Sequence, residues 1–316
     1  MSQSPSSASR LHGPVLWWYA EHARDLPWRA PGTSPWAVLV SEVMLQQTPV
    51  ARVEPVWRGW MARWPTPADL AAESSGEAVR AWDRLGYPRR ALRLHACAVA
   101  IETRHGGQVP AEESALRALP GVGAYTAAAV AAFAFGVRTP VLDTNVRRVL
   151  ARALSGQELA PPSLTRAEES LARQALPADS EASVRWNVAV MELGALVCTS
   201  RAPRCERCPI RSHCAWVGHG KPAYGGPARP AQAWHGTDRQ CRGRLLQVVR
   251  EHDLWLPHDA LVAAWPDHPE QRARCLSALL REGLLQRYSD VHAPDAHSPS
   301  SSQELGDGEW YGFASH

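Results

Sequence analysis

The sequence is poor in lysine: Lys221 is the single lysine among its 34 basic residues. It also lacks any segment of the roughly 18–20 uncharged apolar residues that a membrane-spanning helix needs. Residues 1–10 are rich in serine and have no apolar stretch of the kind that a secretory signal carries. We therefore expect a cytoplasmic protein without a membrane anchor.

The composition excludes a disordered chain. The 316 residues are 45% hydrophobic and include 14 tryptophans, which is enough apolar surface for a core and enough length for two domains. The formal net charge is +3, but residues 290–316 hold five acids and no lysine or arginine. The rest of the chain is therefore clearly basic, and a basic body permits nucleic acid as a partner.

Signals for β-strands are nearly absent, and apolar residues recur at helical spacing between turns marked by proline and glycine. The pattern predicts an all-α fold with a small C-terminal winged-helix-like module. The predicted divisions are a disordered start (1–12), a helical core (13–216), a linker (217–238), the module (239–290) and an acidic, disordered tail (291–316).

The module carries several arginines and few strand signals, so we expect any nucleic-acid contact that it makes to be with phosphates rather than with bases. The residues that would make this contact are Arg242, Arg244, Arg250, Arg272 and Arg274.

A tight turn with two glycines separates two predicted helices within residues 111–135. Gly121 and Gly123 lie in the turn LPGVG, and the helix after it is apolar nearly all round, so it should be buried. Exposed backbone N–H groups in such a turn can hold a phosphate oxygen. An ordinary helix–turn–helix corner has the same spacing, and the residues alone leave both interpretations open.

Two carboxylates stand out in apolar surroundings. Asp143 precedes a predicted helix, where aspartate commonly serves as an N-cap and is held ionised by backbone donors. Glu42 lies inside the apolar helix pattern of residues 35–49, where the pattern favours an exposed stripe over a buried side chain with a raised pKa. A buried, protonated glutamate would be a usable general acid.

Four of the seven cysteines fall within seventeen residues, with the spacing C-x6-C-x2-C-x5-C. Such a cluster predicts a metal site rather than a disulfide framework. Four thiolates suit either zinc or an iron–sulfur cluster, although zinc ribbons prefer two C-x2-C pairs and this sequence has one. The candidate ligands are Cys198, Cys205, Cys208 and Cys214.

Taken in order, these motifs resemble the endonuclease III superfamily of helix-hairpin-helix DNA glycosylases that carry a [4Fe–4S] cluster. Within it, the chain is most similar to the MutY-type adenine DNA glycosylases. The segments that carry the resemblance lie between residues 13 and 216, namely LPWR (26–29), SEVMLQQT (41–48), LGY (85–87), LPGVGAYTAAAV (119–130), LDTNVRRVLAR (142–152) and MELGALVCT (191–199).

The resemblance implies a role for each matching residue. Glu42 would protonate adenine, Asp143 would stabilise the sugar cation, and Tyr125 and Asn145 would orient these carboxylates. The resemblance also implies a pocket for the extruded adenine, side chains that enter the base stack near the opposing base, and a hairpin that binds a phosphate. The residues concerned are Trp28, Arg29 and Leu45 for the pocket, Gln47 and Tyr87 for the base stack, and Leu119, Gly121, Val122 and Gly123 for the hairpin. From their own positions in the sequence, Gln46 could also reach a base edge and Arg147 could add a phosphate contact.

The implied partner is double-stranded DNA containing a mispaired adenine, bound by a monomer. Tyr125 stands where the endonuclease III branch places its lysine, and Lys221 lies far along the chain, so we expect base release without strand cleavage.

The sequence departs from the family pattern at Thr144, Pro88 and Val188, and residues 240–290 do not resemble a Nudix-like reader of 8-oxoguanine. Two alternatives remain: another glycosylase of this superfamily, endonuclease III-like or thymine-specific, and a non-catalytic iron–sulfur DNA-binding protein.

Overall fold

The computed structural model describes residues 7–226, 234–252, 255–288 and 309–314. Within them the chain is mainly helical, which confirms the expected fold class. The α-helices are α1 (Ser9–His22), α2 (Pro35–Met44), α3 (Val50–Arg63), α4 (Pro67–Ala71), α5 (Ser75–Ala81), α6 (Arg89–His105), α7 (Glu113–Arg117), α8 (Ala124–Phe135), α9 (Thr144–Ser155), α10 (Arg166–Ala175), α11 (Ser180–Leu196), α12 (Ala215–Gly218), α13 (Asp238–Arg250), α14 (His258–Ala264) and α15 (Pro269–Arg281). Short 3-10 helices span Pro27–Arg29, Cys205–Arg207 and Arg211–His213, and the strands are β1 (Leu256–Pro257), β2 (Gln286–Arg287) and β3 (Trp310–Gly312).

The described chain divides into two compact units. Unit 1 contains residues 7–42, 109–118 and 122–226, and unit 2 contains residues 43–108, 119–121 and the described residues from 234 onward. The division falls inside α2, so the segment 13–216, predicted as one core, contributes to both units. Helical periodicity continues across this point, which is why the sequence pattern does not reveal it.

Unit 1 has a core formed by α1, α9, α10 and α11. Leu11 and Trp18 of α1 pack with Leu150 of α9 and with Trp186 and Leu193 of α11. Apolar positions three and four residues apart place these side chains on one face of each helix. The central helices of this unit thereby acquire fixed positions.

A glycine sets the approach of α11 to α9. A Cβ atom at Gly194 would lie 2.7 Å from the Cβ of Asn145 and 3.0 Å from its carbonyl oxygen. No larger residue fits at this point without separating the helices. Gly194 therefore brings the first turn of α9 close to α11.

Helix α8 is buried, as its composition predicts. Residues 126–132 are all buried, and Ala129 and Ala132 pack against Val141. None of the helices within the described residues is long and apolar enough to cross a membrane.

The predicted disordered start is wrong for residues 9–12. Helix α1 begins at Ser9, Leu11 is buried in the unit 1 core, and the His12 ring nitrogen lies 2.8 Å from the Ala175 carbonyl oxygen. The serine-rich composition of residues 1–10 concealed this first helical turn. Residues 1–6 lie outside the described part of the chain.

Unit 2 is built around tryptophans. The rings of Trp64 and Trp82 lie edge-on to Trp60, with ring centroids 4.9 and 5.5 Å away, and all three are buried. Trp60 donates a hydrogen bond of 2.9 Å from its indole nitrogen to the Ala81 carbonyl oxygen. Buried indoles need such partners for their N–H groups, so this contact fixes the end of α5 against α3.

The C-terminal elements follow the order helix, strand, helix, helix, strand, strand. In the sheet, β3 lies between β1 and β2 and pairs antiparallel with both. Leu245, Leu276 and Leu279 fill the space between α13 and α15. This arrangement agrees with the winged-helix-like module expected from the sequence.

The predicted disordered tail is wrong for residues 309–314. Trp310–Gly312 form the central strand of the sheet, and Phe313 is buried beside the guanidinium groups of Arg80 and Arg250. The Gly76 N–H donates a hydrogen bond of 3.0 Å to the Ala314 carbonyl oxygen, where a Cβ on Gly76 would lie only 2.2 Å from that oxygen. The acidic residues before this strand masked its two aromatic side chains and the phenylalanine that follows it. Residues 289–308 and 315–316 lie outside the described part.

The predicted linker also begins too early. Within residues 217–226, the Lys221 N–H donates to the Trp216 carbonyl oxygen, and the Tyr224 N–H donates to Glu158 Oε2 at 2.6 Å. Residues 227–233, the remainder of the Gly/Pro-rich stretch before α13, lie outside the described part.

Four of the five arginines predicted to contact phosphates are engaged within unit 2, contrary to that role for all of them. Arg242 pairs with Glu282, Arg274 pairs with Asp238, and Arg272 donates to the Trp265 carbonyl oxygen. The fourth is Arg250, which donates to the Val79 carbonyl oxygen and packs against Phe313, whereas Arg244 is exposed. A count of basic residues does not distinguish internal ion pairs from free charge.

We predict that Phe313→Ala lowers the free energy of unfolding by about 3 kcal/mol, because truncating a buried phenylalanine removes apolar contacts and leaves a cavity. Urea unfolding monitored by tryptophan fluorescence measures this loss. Phe313→Leu should lose less than half as much, and Leu164→Ala, at a side chain that is 43% exposed, should change stability little. Equal stability of Phe313→Ala and the unsubstituted chain would contradict the docking of β3.

Candidate active site

Glu42 lies in the last turn of α2 and is buried, with only 5% of its surface exposed. The sequence pattern alone favoured an exposed position, and that expectation is wrong. The Tyr125 hydroxyl, from the first turn of α8, donates a hydrogen bond of 2.8 Å to Glu42 Oε2. The structure therefore joins two of the residues predicted to act in catalysis.

Asp143 is the N-cap of α9, as predicted. Its carboxylate accepts hydrogen bonds from the Val146 N–H at 2.6 Å and from the Asn145 side-chain amide at 2.8 Å. Arg148 in turn donates to Asn145 Oδ1 at 2.7 Å, so the amide orientation is held from both sides. These contacts, with the close approach at Gly194, place the Asp143 carboxylate in one defined position.

Burial raises the pKa of Glu42 to about 7, and the nearby charge of Asp143 adds to this rise. The hydrogen bond from Tyr125 and the charge of Arg29 oppose it. Burial also raises the pKa of Tyr125 well above its usual value, which keeps the tyrosine protonated as a donor. Glu42 is therefore an acid that holds its proton up to about neutral pH.

Burial raises the pKa of Asp143 as well, whereas its hydrogen bonds from Val146 and Asn145 lower it. The direction is opposite to that expected from the N-cap alone, because the cap is removed from solvent. Asp143 still has two donors on its carboxylate and Glu42 has one. Both carboxyl groups therefore hold their protons to a higher pH than in water, and the hydrogen bonds from Val146 and Asn145 limit this effect at Asp143.

A third buried carboxylate, Glu192 of α11, was not identified from the sequence. It is completely buried, and it accepts hydrogen bonds from Arg24 at 2.6 and 3.0 Å and from Arg29 at 3.0 Å. Burial acts to raise the pKa of Glu192, but Arg24 and Arg29 lower it below its usual value. Glu192 therefore positions Arg29; the only signal was an isolated acid in the apolar stretch MELGAL.

The predicted pocket residues Trp28 and Arg29 lie in the 3-10 helix Pro27–Arg29 of unit 1. Trp28 is buried, and the charge of Arg29 acts on both Glu42 and Tyr125. Leu45, also predicted for the pocket, lies just after α2 in unit 2 and is half-buried.

The residues expected to enter the base stack lie on two turns of unit 2. Gln47 and Tyr87 are exposed and have φ angles of 57° and 49°, a left-handed backbone conformation that is uncommon outside glycine. Gln46 is half-buried beside Gln47. Strained residues of this kind persist only where their surroundings hold them.

Arg90 holds both turns, and sequence reasoning missed it. Its buried guanidinium donates to the carbonyl oxygens of Gln46 at 2.7 Å and Gly86 at 3.0 Å, and to the Thr48 hydroxyl at 3.0 Å. Burial lowers the pKa of Arg90 to about 10, so it remains charged at neutral pH. An arginine that follows the LGY motif gives no sequence signal for this role, because its partners are backbone atoms.

The predicted hairpin is present as α7, the turn of residues 119–123 and α8. Leu119 and Val122 are buried, whereas Gly121 and Gly123 are exposed. Gly121 has a φ of +77°, and a Cβ there would lie 2.8 Å from the Cβ of Arg93. The backbone of the turn is thus exposed at both glycines, as binding of a phosphate through backbone N–H groups requires.

Arg147, predicted to contact DNA, is engaged elsewhere. It forms a two-pronged ion pair with Glu168, at 2.8 and 3.0 Å, and donates to two carbonyl oxygens before α10. Only 14% of its side chain is exposed, so the structure favours a role in joining α9 to α10.

The four clustered cysteines line one cavity in unit 1. The space between them and their neighbours is about 290 Å³, open in part to solvent. Among the residues that the structure describes, no three His, Cys, Asp or Glu side chains are close enough to share a single metal ion. A tetrahedral zinc site needs every sulfur about 2.3 Å from one ion, whereas cluster thiolates bind different irons around a larger space.

Arg152 brings a positive charge to this cavity. It is 1% exposed, lies 3.4 Å from the Cys198 sulfur and 4.6 Å from the centre of the Trp216 ring, and donates to carbonyl oxygens of the cysteine loop. A buried guanidinium beside four cysteines suits thiolate ligands, whose negative charge it balances. The donor set therefore fits an anionic iron–sulfur cluster.

Comparison with known proteins agrees with this geometry. Residues 40–173 match the HhH-GPD superfamily of base excision DNA repair proteins. The chain is 51% identical over 276 residues to an adenine DNA glycosylase of Mycolicibacterium smegmatis, covering 87% of this chain and 92% of that protein. It is 50% identical over 277 residues to an adenine DNA glycosylase of Mycobacterium tuberculosis, covering 87% and 90%.

Among solved structures, a thermostable thymine-DNA glycosylase superimposes with a TM-score of 0.61 at 27% identity, over 67% of this chain and 97% of that one. The chain that carries these carboxylates, the hairpin and the cysteine loop is thus about half identical, over 87% of its length, to two adenine DNA glycosylases. The chain belongs to the HhH-GPD superfamily and, within it, to the adenine DNA glycosylase family.

Proposed function

We propose that the protein removes adenine mispaired with guanine or 8-oxoguanine from duplex DNA, by hydrolysing the bond between base and deoxyribose. The observation that carries this proposal is the pairing of the buried Glu42, whose pKa is raised to about 7, with Asp143, whose carboxylate is fixed by hydrogen bonds from Val146 and Asn145. The relatives named adenine DNA glycosylase support adenine as the base.

In the first step, Glu42 donates its proton to N7 of the extruded adenine and makes the base a neutral leaving group. The Tyr125 hydroxyl holds one carboxyl oxygen at 2.8 Å, which leaves the other oxygen of Glu42 for the base. A general acid is most effective when its pKa lies near the working pH, and the pKa of Glu42 is about 7.

As the bond breaks, positive charge develops on the deoxyribose, and the Asp143 carboxylate stabilises it. The Asn145 amide and the Val146 N–H fix the carboxylate before the reaction starts, so little reorganisation is needed. Water then adds to the sugar carbon and gives a proton to the Glu42 carboxylate, which restores the acid and leaves an abasic site. Tyr125 offers no amine for a Schiff base, and Lys221 is stacked near Trp216, so the strand stays intact.

Other residues bind rather than react. Trp28 and Arg29, the latter held by Glu192, line the adenine pocket. Gln47 and Tyr87 enter the base stack, and the glycines of the 119–123 turn bind a phosphate through their backbone.

Cys198, Cys205, Cys208 and Cys214 hold a [4Fe–4S] cluster in this proposal. The cavity that they line and the charge of Arg152 support it. When bound, the cluster supplies structural cross-links, since metal binding by thiolates contributes folding free energy. Arg152 ties the same loop to α9 through its hydrogen bonds to residues 199 and 200.

Thymine excision is the second candidate, favoured by the structural likeness to a thymine-DNA glycosylase. That likeness rests on 27% identity, compared with about 50% to the adenine enzymes. A non-catalytic DNA-binding protein would need neither a protonated Glu42 nor a fixed Asp143.

The test is a single-turnover assay on duplexes with adenine opposite 8-oxoguanine, guanine or cytosine, and with thymine opposite guanine. We expect adenine release, and strand breaks only after alkali. Glu42→Gln and Asp143→Asn should each slow release by at least about 100-fold, the scale of general acid and electrostatic catalysis.

Two matched variants control for the substitutions themselves. Asp179→Asn changes the exposed N-cap of α11, and Glu21→Gln changes an exposed acid on α1; both should keep full activity. More than about a tenth of the original rate in Glu42→Gln or Asp143→Asn would remove that residue from its role. Faster release of thymine than adenine, or borohydride trapping at the turnover yield, would contradict the proposed reaction.

The release rate should fall as the pH rises through about 7, where Glu42 loses its proton. A pH profile of the single-turnover rate measures this. Tyr125→Phe should move the falling limb to higher pH, because the lost hydrogen bond normally lowers the pKa of Glu42. A profile that does not change between pH 6 and 9 would exclude Glu42 as the proton donor.

Purified protein should contain about four irons per chain and absorb visible light, as a [4Fe–4S] cluster does. Cys205→Ser should lower iron content and soluble yield together. Cys97→Ser, at a buried cysteine of α6 in the other unit, should keep its iron. Stoichiometric zinc in anaerobically prepared protein would contradict the cluster.

A further inference from the structure

Two exposed aromatic rings in unit 2 meet at one guanidinium group. The Arg239 guanidinium lies 5.0 Å from the centre of the Tyr87 ring and 5.3 Å from the centre of the Trp234 ring. Tyr87 is 43% exposed and Trp234 is 47% exposed. Only five large hydrophobic side chains in the described residues are exposed, so a contact that brings two of them to one guanidinium is unusual. We call Tyr87, Arg239 and Trp234 the aromatic–arginine surface.

The backbone beneath Trp234 is held in place although its ring is exposed. The Trp234 carbonyl oxygen accepts a hydrogen bond of 2.8 Å from the Thr237 hydroxyl, and Thr237 caps α13. Gly236 donates to Gln240 at 2.8 Å and accepts from Gln271 of α15 at 2.9 Å. The ring is therefore presented from an ordered turn, which lowers the entropic cost of binding.

Tyr87 at the other end is held equally well. Arg90 fixes the preceding carbonyl oxygen at Gly86 and lies 5.5 Å from the centre of the Tyr87 ring. Tyr87 is thus contacted by two guanidinium groups, from Arg90 and Arg239. The surface joins a residue proposed to enter the base stack with two residues from the start of the C-terminal module.

We propose that the aromatic–arginine surface binds the DNA strand that carries the base opposite the adenine. In this arrangement Tyr87 enters the stack, Arg239 contacts a phosphate of that strand, and Trp234 packs against an adjacent base or sugar. Cationic and aromatic side chains in alternation are the chemistry by which proteins hold nucleic acid strands. This inference rests on the proposed function for its substrate and adds Arg239 and Trp234 to the binding site.

The aromatic–arginine surface also explains how a module whose arginines are mostly engaged in internal contacts can contribute to DNA binding. Most of its arginines are occupied by internal contacts, as with Arg242 and Arg274, so they do not supply a general phosphate-binding face. Arg239 is exposed at the beginning of α13, beside Tyr87. The module then contributes to binding through its first turn rather than through its whole charge.

The test uses the full-length chain in a Glu42→Gln background, so that binding is measured without base release. Fluorescence anisotropy gives the Kd for duplexes with adenine opposite 8-oxoguanine and for an undamaged duplex, over a series of salt concentrations. Trp234→Ala should weaken binding about fivefold to hundredfold, the range that loss of one base-stacking ring produces. Trp234→Phe should recover most of this loss.

Arg239→Ala should weaken binding and lower the slope of log K against log salt by about one, as expected for one phosphate contact. Arg239→Lys should restore the salt slope but not the full affinity, because an ammonium does not stack between rings as a guanidinium does. Trp17→Ala is the matched control: Trp17 is 69% exposed on α1 in unit 1, and its loss should not change Kd.

Placement is tested directly with 5-iododeoxyuridine in each strand in turn. Irradiation should cross-link Trp234 to the strand opposite the adenine, and peptide mass spectrometry identifies the residue. A Kd within twofold of the parent in Trp234→Ala, with an unchanged salt slope in Arg239→Ala, would overturn the proposal, as would cross-linking only to the adenine strand. If these variants weaken DNA binding but the unsubstituted protein releases no adenine, the proposed reaction fails and the surface stands.

Discussion

Holding two carboxyl groups, the buried Glu42 and the half-buried Asp143, in one unit sets the main requirement on the surrounding helices. An ionised carboxylate is costly to bury without donors, and two near each other cannot both be charged at low cost. Hydrogen bonds from Val146 and Asn145 oppose the rise in the pKa of Asp143 that burial causes, whereas the pKa of Glu42 rises to about 7. The donors that make these surroundings tolerable also fix the two carboxyl groups that the proposed reaction uses.

The supporting contacts serve this arrangement. Gly194 allows α11 to approach the first turn of α9, where Asn145 orients Asp143. Glu192, at zero exposure, holds Arg29, whose charge limits the rise in the pKa of Glu42. Removing one partner of such a buried pair leaves an uncompensated charge, which explains why these residues act as a connected set.

Arginine performs the structural work that is often shared with lysine. Arg90, Arg148 and Arg152 each bind two or more carbonyl oxygens of separate segments and so tie loops to helices. A planar guanidinium with five donors suits this task, whereas an ammonium does not span several acceptors in one plane. The scarcity of lysine is therefore consistent with a fold whose loops are held by side-chain-to-backbone bonds.

The sequence by itself determined the helical class, the N-cap at Asp143 and the burial of α8, because each follows from local spacing and the chemistry of neighbouring residues. It also indicated a small C-terminal module built mainly from helices, but not β3, whose pairing partners lie more than twenty residues away. Only the tertiary structure decided that Glu42 is buried, that Glu192 and Arg90 support the site, and that Arg239 stacks between Tyr87 and Trp234. The physical reason is the same in each case: burial and long-range hydrogen bonding depend on residues distant in sequence, and no local pattern records them.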